Sequence, residues 1–132
     1  MKARDVYHRA LALLAEQDSD GTNYDTEAFE IAAPSLINVL SMMLDELDLH
    51  IKSREFHEAT LEPRAIESLD EEVTLHPVLC ASVLPLGLAF LLIAEEDARR
   101  ASLFFNLYEA EKTALFARFK KGKRHKITSV YG

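Results

Sequence analysis

The sequence predicts a mainly all-α protein, a helical bundle of about four helices, and three observations support this fold class. Hydrophobic residues make up 48% of the chain and charged residues 28%, a balance typical of a folded globular domain. Apolar side chains recur three or four positions apart along most of the chain, as on one face of a helix. Four glycines and four prolines are too few for a loop-rich β-sandwich. The length of 132 residues predicts a single domain.

The first two helices follow from apolar stripes and start signals. A stripe over residues 4–16 predicts the first helix. The second is predicted to begin near Asp25 or Thr26, both good N-caps. Pro34 leaves two alternatives, a kink in one helix or a main helix that begins at Pro34. The predicted buried stripe of the second helix consists of Phe29, Ile31, Ala32, Leu36, Ile37, Leu40, Met43, Leu44, Leu47 and Ile51.

Residues 54–76 lose the helical period and predict an extended or hairpin-like connector. Their apolar residues are spaced as in a segment attached to the surface at intervals. A structureless loop of this length is uncommon in a compact domain. The connector is therefore expected to be partly strand or functional.

A third helix is predicted to begin at Pro77, because proline is favoured at the first helical position. Residues 78–94 are apolar on nearly every face, so this helix should be enclosed by the others. Pro85 and Gly87 predict a bend near its middle. The apolar run is shorter than the about 20 residues that a membrane span needs, so we expect no membrane-spanning segment.

A fourth helix is predicted to begin around residues 95–97, three acids that suit the positive end of a helix dipole. Gly122 is expected to end it. We therefore predict a helical domain over residues 1–122 and a flexible basic tail over 123–132. Phe116 lies off the buried stripe and is available to a partner. That stripe is predicted to consist of Ala101, Phe104, Phe105, Tyr108, Leu115 and Phe119.

The sequence offers no pattern for catalysis, a cofactor or a metal, and we expect a protein that is not an enzyme. The histidines lack the Glu-x-x-His and His-Glu-x-x-His spacings, and His50 and His57 would bind metal only if a loop folded back. The acids at 45–48 and 70–72 are typical of a solvated face rather than of acid–base chemistry. Cys80 is the single cysteine, so no disulfide framework is possible and an intracellular setting is favoured. Its apolar neighbours favour a small buried side chain over a catalytic nucleophile.

Charge is divided unevenly along the chain. Residues 1–119 carry a net charge of −12, whereas residues 120–132 carry five basic residues and no acid, which gives −7 overall. The basic end is either a solubilising, unstructured segment or a docking element. Phosphate binding by this end would be weak and salt-dependent beside an acidic body.

The order of several segments is similar to that of one known family, although no single segment is diagnostic. These segments are Arg9–Leu14, Ala32–Leu40 running to Leu47, Ile66–Leu75, Val83–Ala89, Glu95–Asp97, Phe105–Ala110 and Val130–Gly132. These segments are spread over nearly the whole chain, and the pattern resembles the small head–tail connector proteins of tailed phages and prophages. These proteins are also called adaptor or head-completion proteins.

This resemblance implies a structural subunit that forms a ring on the portal protein, dodecameric in the assembled particle. Such a ring extends the DNA channel toward the tail and lets DNA pass without sequence-specific binding. The expected partners are the portal, other connector or tail-completion proteins and further copies of the chain, with no membrane and no cofactor. The expected location is the head–tail junction of the virion, and the host cytoplasm during assembly.

Two contact regions are predicted for this role. In the family the C-terminal segment often reaches the portal, and residues 54–76 are placed to reach a neighbouring subunit. The alternative is a small helical nucleic-acid-binding protein that uses the basic tail. The inter-subunit contact is predicted to use Leu61, Ile66, Leu69, Val73 and Leu75. The portal contact is predicted to use Lys120, Lys121, Lys123, Arg124, Lys126, Ile127, Val130 and Tyr131.

Overall fold

The computed structural model describes the backbone of residues 1–16, 24–56 and 64–131, and their side chains except at 16, 55–56 and 120–131. Helices dominate this part of the chain, which confirms the all-α prediction. The helices are α1 (Ala3–Glu16), α2 (Thr26–Met43), α3 (Asp45–Phe56), α4 (Pro77–Ala81), α5 (Val83–Ile93) and α6 (Ala98–Tyr131). Six helices replace the predicted four because two of the predicted helices are each broken in two.

The first break separates α2 from α3 at Leu44, where the two helices meet at 62°. Helix α2 begins at Thr26, with Asp25 as its N-cap, and Pro34 lies inside it. The alternative in which Pro34 opens the main helix is therefore wrong. Acids in the first turn of α3, including Asp45 and Glu46, suit a new helix N-terminus at this point.

The second break lies at Ser82, three residues before the predicted bend at Pro85. Pro85 has no N–H to donate to the carbonyl of Ala81, four residues earlier, and its ring crowds that carbonyl. The helix therefore stops one turn before the proline. Arg9 Nη1 donates to the Ala81 oxygen at 3.3 Å and so replaces the missing helical donor.

Helix α5 is the centre of the fold, as predicted for an apolar helix. It is buried on nearly all sides and packs against α1, α2 and α6. Gly87 permits the closest approach, because a Cβ atom there would lie 2.7 Å from Leu40 Cδ2 on α2. The same Cβ would lie 3.1 Å from the ring of Tyr108 on α6.

The described part of the connector, residues 64–76, forms no hairpin and is interrupted by bends and a turn over residues 67–71. An isolated antiparallel bridge joins Glu72 to Lys2 instead. The first residues of the sequence, rather than a second strand of the connector, supply this pairing.

Helix α6 differs from the prediction at both its buried face and its end. Phe105, predicted to be buried, is 39% exposed, while Phe116 is half-buried against the core. The helix passes through Gly122 and continues to Tyr131, so neither the predicted end nor the flexible tail from residue 123 is confirmed. A glycine costs a helix interior only about 1 kcal/mol relative to alanine, which does not force an end.

Candidate interaction surfaces

The connector is held to the body by backbone pairing with the start of α1. Ala3 N donates to Glu71 O at 2.9 Å, and Arg4 N donates to Leu69 O at 2.8 Å. The guanidinium of Arg4 also pairs with Asp70 at 3.1 Å and with Glu30 at 3.2 Å. These contacts join α1, α2 and the connector into one unit.

Two polar side-chain contacts from α2 and α3 fix the ends of the described connector. Asn38 brackets the backbone of Ile66, donating to its carbonyl at 2.8 Å and accepting from its N–H at 2.9 Å. Asp48, a buried acid, accepts from His76 N at 2.6 Å and pairs with Lys52 at 2.9 Å. The described part of the connector, residues 64–76, is therefore bound to its own chain at both ends and at its middle.

Most residues predicted for the inter-subunit contact are buried in the chain itself. Ile66, Leu69, Val73 and Leu75 are between 4% and 6% exposed and belong to the hydrophobic core. In this conformation they have little area left for a neighbour. Leu61 lies outside the described residues.

Cys80 is the small buried hydrophobe that its sequence setting favoured. Its side chain is fully buried, and Sγ donates weakly to Leu75 O at 3.6 Å. Burial raises the pKa of the Cys80 thiol to about 11, chiefly because the thiolate would be desolvated. The thiol is therefore protonated at neutral pH and is a poor nucleophile.

Glu71, one of the acids at 70–72, and His50 both contact other residues of the same chain. Glu71 accepts from the backbone N–H groups of Glu67 at 2.6 Å and Ser68 at 2.8 Å, and these hydrogen bonds lower the pKa of its carboxyl. The His50 ring packs against Phe116, with 5.7 Å between ring centroids. Within the described residues no group of three or more His, Cys, Asp or Glu side chains is arranged to hold a metal. His57 lies outside that part.

A cleft of about 360 Å³ opens beside the break between α4 and α5. Its walls are mainly apolar, and Arg9 and Glu111 are its charged lining residues. The hydroxyl of Ser82, which also lines it, donates to Val78 O at 2.5 Å. The polar groups of the cleft thus stabilise the helix break, since Arg9 also bonds to Ala81.

The basic end of the chain lies on α6, which continues through residues 120–131. The eight residues predicted for the portal contact lie there, outside the described side chains. The backbone of this segment is therefore helical, and its contact with the portal stays a prediction.

An apolar face of α2 points away from the core. Ile31 is 83% exposed, Met42 71%, Met43 54% and Val39 48%, although Ile31 and Met43 were predicted to be buried. We define the α2 outer face by the exposed residues Glu27, Ile31, Ser35, Val39, Met42 and Glu46. Members from Glu27 to Met42 recur three or four positions apart, and Glu46 follows the break at Leu44.

A second outward face lies on α6. Leu103 and Leu107 are 44% and 42% exposed. We define the α6 outer face by the exposed residues Arg99, Leu103, Leu107, Ala110, Ala114 and Arg118. Sequence reasoning missed both faces because it sought one buried stripe per helix. The α2 outer face could have been predicted, because α2 has more apolar positions than one buried face holds.

No protein-family model matches the sequence, and no similar protein is found among curated proteins or solved structures. No single helix in the described residues is long and apolar enough to cross a membrane. The pair formed by α2 and α3 meets the length and composition requirements together, but the two helices are bent by 62° at their junction.

Proposed function

We propose that this chain is a structural subunit of a head–tail connector in a tailed phage or prophage. It assembles as a ring on the portal, extends the DNA channel toward the tail and performs no catalysis. Residues 120–132 form the element that docks on the portal. The family in this proposal comes from the resemblance in the order of the sequence segments.

The observation that supports an assembly role most strongly is the α2 outer face. Large exposed apolar patches on a folded domain mark surfaces that contact other molecules. Ile31 and Met42 keep 83% and 71% of their surface exposed, on a helix whose opposite side is part of the core. A subunit that is completed by neighbours accounts for this arrangement.

The charge distribution suits a channel wall with a separate docking element. Residues 1–119 have a net charge of −12, and a wall of like charge does not retain the DNA that passes it. The basic residues 120–131 continue α6 beyond its core contacts at Leu115. A basic helical extension is suited to an acidic groove on a protein partner.

Co-purification with the portal ring encoded in the same genome tests this proposal. We expect the full chain to bind the portal and to add a ring of density beneath it in electron microscopy. Deletion of residues 123–132 should abolish binding while circular dichroism shows that the body stays folded. An intact portal that does not bind the folded full chain contradicts the connector function.

A second candidate is nucleic-acid binding by the basic end of α6, favoured by the helical backbone of residues 120–131. It predicts binding whose log affinity falls with log salt, with a slope of about −0.9 for each DNA phosphate neutralised. Neutralising Lys120 and Lys121 to glutamine should reduce that slope. Absence of duplex binding at low salt removes this candidate.

A further inference from the structure

The two outer faces carry opposite charge at their ends. The α2 outer face begins at Glu27 and closes at Glu46, while the α6 outer face begins at Arg99 and closes at Arg118. Between residues 25 and 51 the sequence has six acids and no lysine or arginine. Residues 98–119 have four basic and two acidic residues, a net charge of +2. The surroundings of the two faces are therefore electrostatically complementary.

The apolar parts of the two faces also match in length and in side-chain size. Glu27 to Met42 spans 15 helical steps, as does Arg99 to Ala114, so each covers about 22 Å. The α2 outer face has its large side chains at Ile31, Val39 and Met42, whereas the α6 outer face has alanines over half of its length. Large side chains on one helix fit between small ones on another when helices pack.

Like faces are poorly suited to each other. Pairing two α2 outer faces would bring Glu27 and Glu46 of both copies together, with no basic residue on either face. Pairing two α6 outer faces would bring Arg99 and Arg118 of both copies together. Both faces are exposed on one chain, so the complementary partner for each is the other face on a second copy.

We propose that the α2 outer face of one copy docks against the α6 outer face of a second copy. This inference rests on the proposed assembly role and names the subunit contact within it. Because the two surfaces differ, the contact is heterologous. In an open chain of subunits only the two terminal copies each retain one unused face. Such a contact continues from copy to copy and closes into a ring when the rotation allows it. Residues 120–131 remain available for the portal.

A mixing experiment with two half-blocked variants tests the contact. One variant carries Ile31→Asp and Met42→Asp, and the other carries Leu103→Asp and Leu107→Asp. In sedimentation velocity the mass of the wild-type chain should rise with concentration above 14.9 kDa, whereas each variant alone should stay at that mass. An equimolar mixture should form a 1:1 heterodimer, because one unblocked α2 face and one unblocked α6 face remain.

Charge reversal gives a second readout that does not disturb the apolar contact. Glu27→Arg with Glu46→Arg should raise the dissociation constant of self-association by about tenfold or more. Arg99→Glu with Arg118→Glu should do the same, and mixing the two reversed variants should restore association. Glu67→Lys and Arg64→Glu change exposed residues outside both faces and should leave association unchanged.

Three results would overturn this inference. One is a wild-type chain that stays at 14.9 kDa at millimolar concentration. Another is a half-blocked variant that associates as the wild type does. The third is a mixture of two monomeric variants that fails to pair, although one unblocked α2 outer face and one unblocked α6 outer face are present in it. If portal binding persists in any of these cases, the connector function survives and only this contact is wrong.

Discussion

Helices α5 and α2 are both rich in apolar residues, yet the structure uses them differently. Helix α5 is enclosed by α1, α2 and α6, and its buried side chains include Leu84, Leu88 and Ile93. Helix α2 buries one side, through Ile37 and Leu40, and exposes an apolar face on the other. The apolar residues of α5 thus stabilise the subunit. Those of the α2 outer face are exposed to solvent, where the proposed contact between copies would bury them.

The largest expected effect is the difference in the free energy of unfolding between a substitution in α5 and one on the α2 outer face. Leu88→Ala should lower the free energy of unfolding by about 2–5 kcal/mol, because it leaves a cavity in a fully buried site. Ile31→Ala removes a similar side chain from the surface and should change it by less than about 0.5 kcal/mol. Urea unfolding at low protein concentration, where self-association does not contribute, compares the two. Equal losses would contradict the distinction.

Asp48→Asn should reveal whether the buried polar contact at the connector is part of the stable core. The change replaces a carboxylate that accepts from His76 N and pairs with Lys52. We expect the free energy of unfolding to fall by about 1–3 kcal/mol, because the uncharged amide keeps a single acceptor oxygen and turns an NH2 donor toward the second partner. Glu46→Gln, an exposed acid on the same helix, is the matched control and should have little effect in the same urea titration.

Substitutions at Gly122 test whether the basic end of α6 is helical in solution. Gly122→Ala should stabilise the helix by up to about 1 kcal/mol and raise the far-UV circular dichroism signal. Gly122→Pro should lower that signal, because proline interrupts the helix. If both variants gave the wild-type spectrum, residues 120–131 would not be helical in solution.

The smallest effect concerns Glu71, which is half-buried and accepts hydrogen bonds from two backbone N–H groups of the connector. Its pKa is lowered from the ordinary 4.5, so its stabilisation is present above pH 4.5 and is lost as pH falls through the lower folded pKa. The difference in Tm between the wild type and Glu71→Gln should therefore shrink in acid. A difference independent of pH would show that ionisation of Glu71 does not matter.

The sequence was sufficient for the fold class and for the central position of α5, because apolar residues surround that helix on every side. It also predicted a bend of the helix near Pro85. The break lies at Ser82 instead, because the carbonyl of Ala81, four residues before the proline, is the one that lacks a helical N–H donor. The burial of Ile66 and Leu69 was missed because their contacts come from distant residues, including Asn38 and Arg4. Periodicity within a segment contains no such long-range information.

The exposed faces show a second limit of sequence reasoning. Ile31 has the same chemistry as the buried Ile37, and only the packing of α2 against α5 decides which of the two faces solvent. The charged residues at the ends of the two faces were visible in the sequence. Their pairing becomes apparent only when the faces are known.

Cysteine cross-linking tests the proposed contact between copies most directly, since native Cys80 is buried and its thiol is protonated. Val39→Cys on one chain and Leu107→Cys on another lie near the centres of the two outer faces. In either relative direction of the helices the two positions are offset along the helix axes by at most about one turn, roughly 6 Å, within reach of a flexible bis-maleimide. Glu67→Cys serves as an exposed control outside both faces.

The result we predict is a cross-linked dimer when the Val39→Cys and Leu107→Cys chains are mixed, and little product from either chain alone. Cross-linking of Val39→Cys chains to each other with equal efficiency would contradict the α2-to-α6 contact. A mixed yield no higher than that of the Glu67→Cys control would contradict it as well.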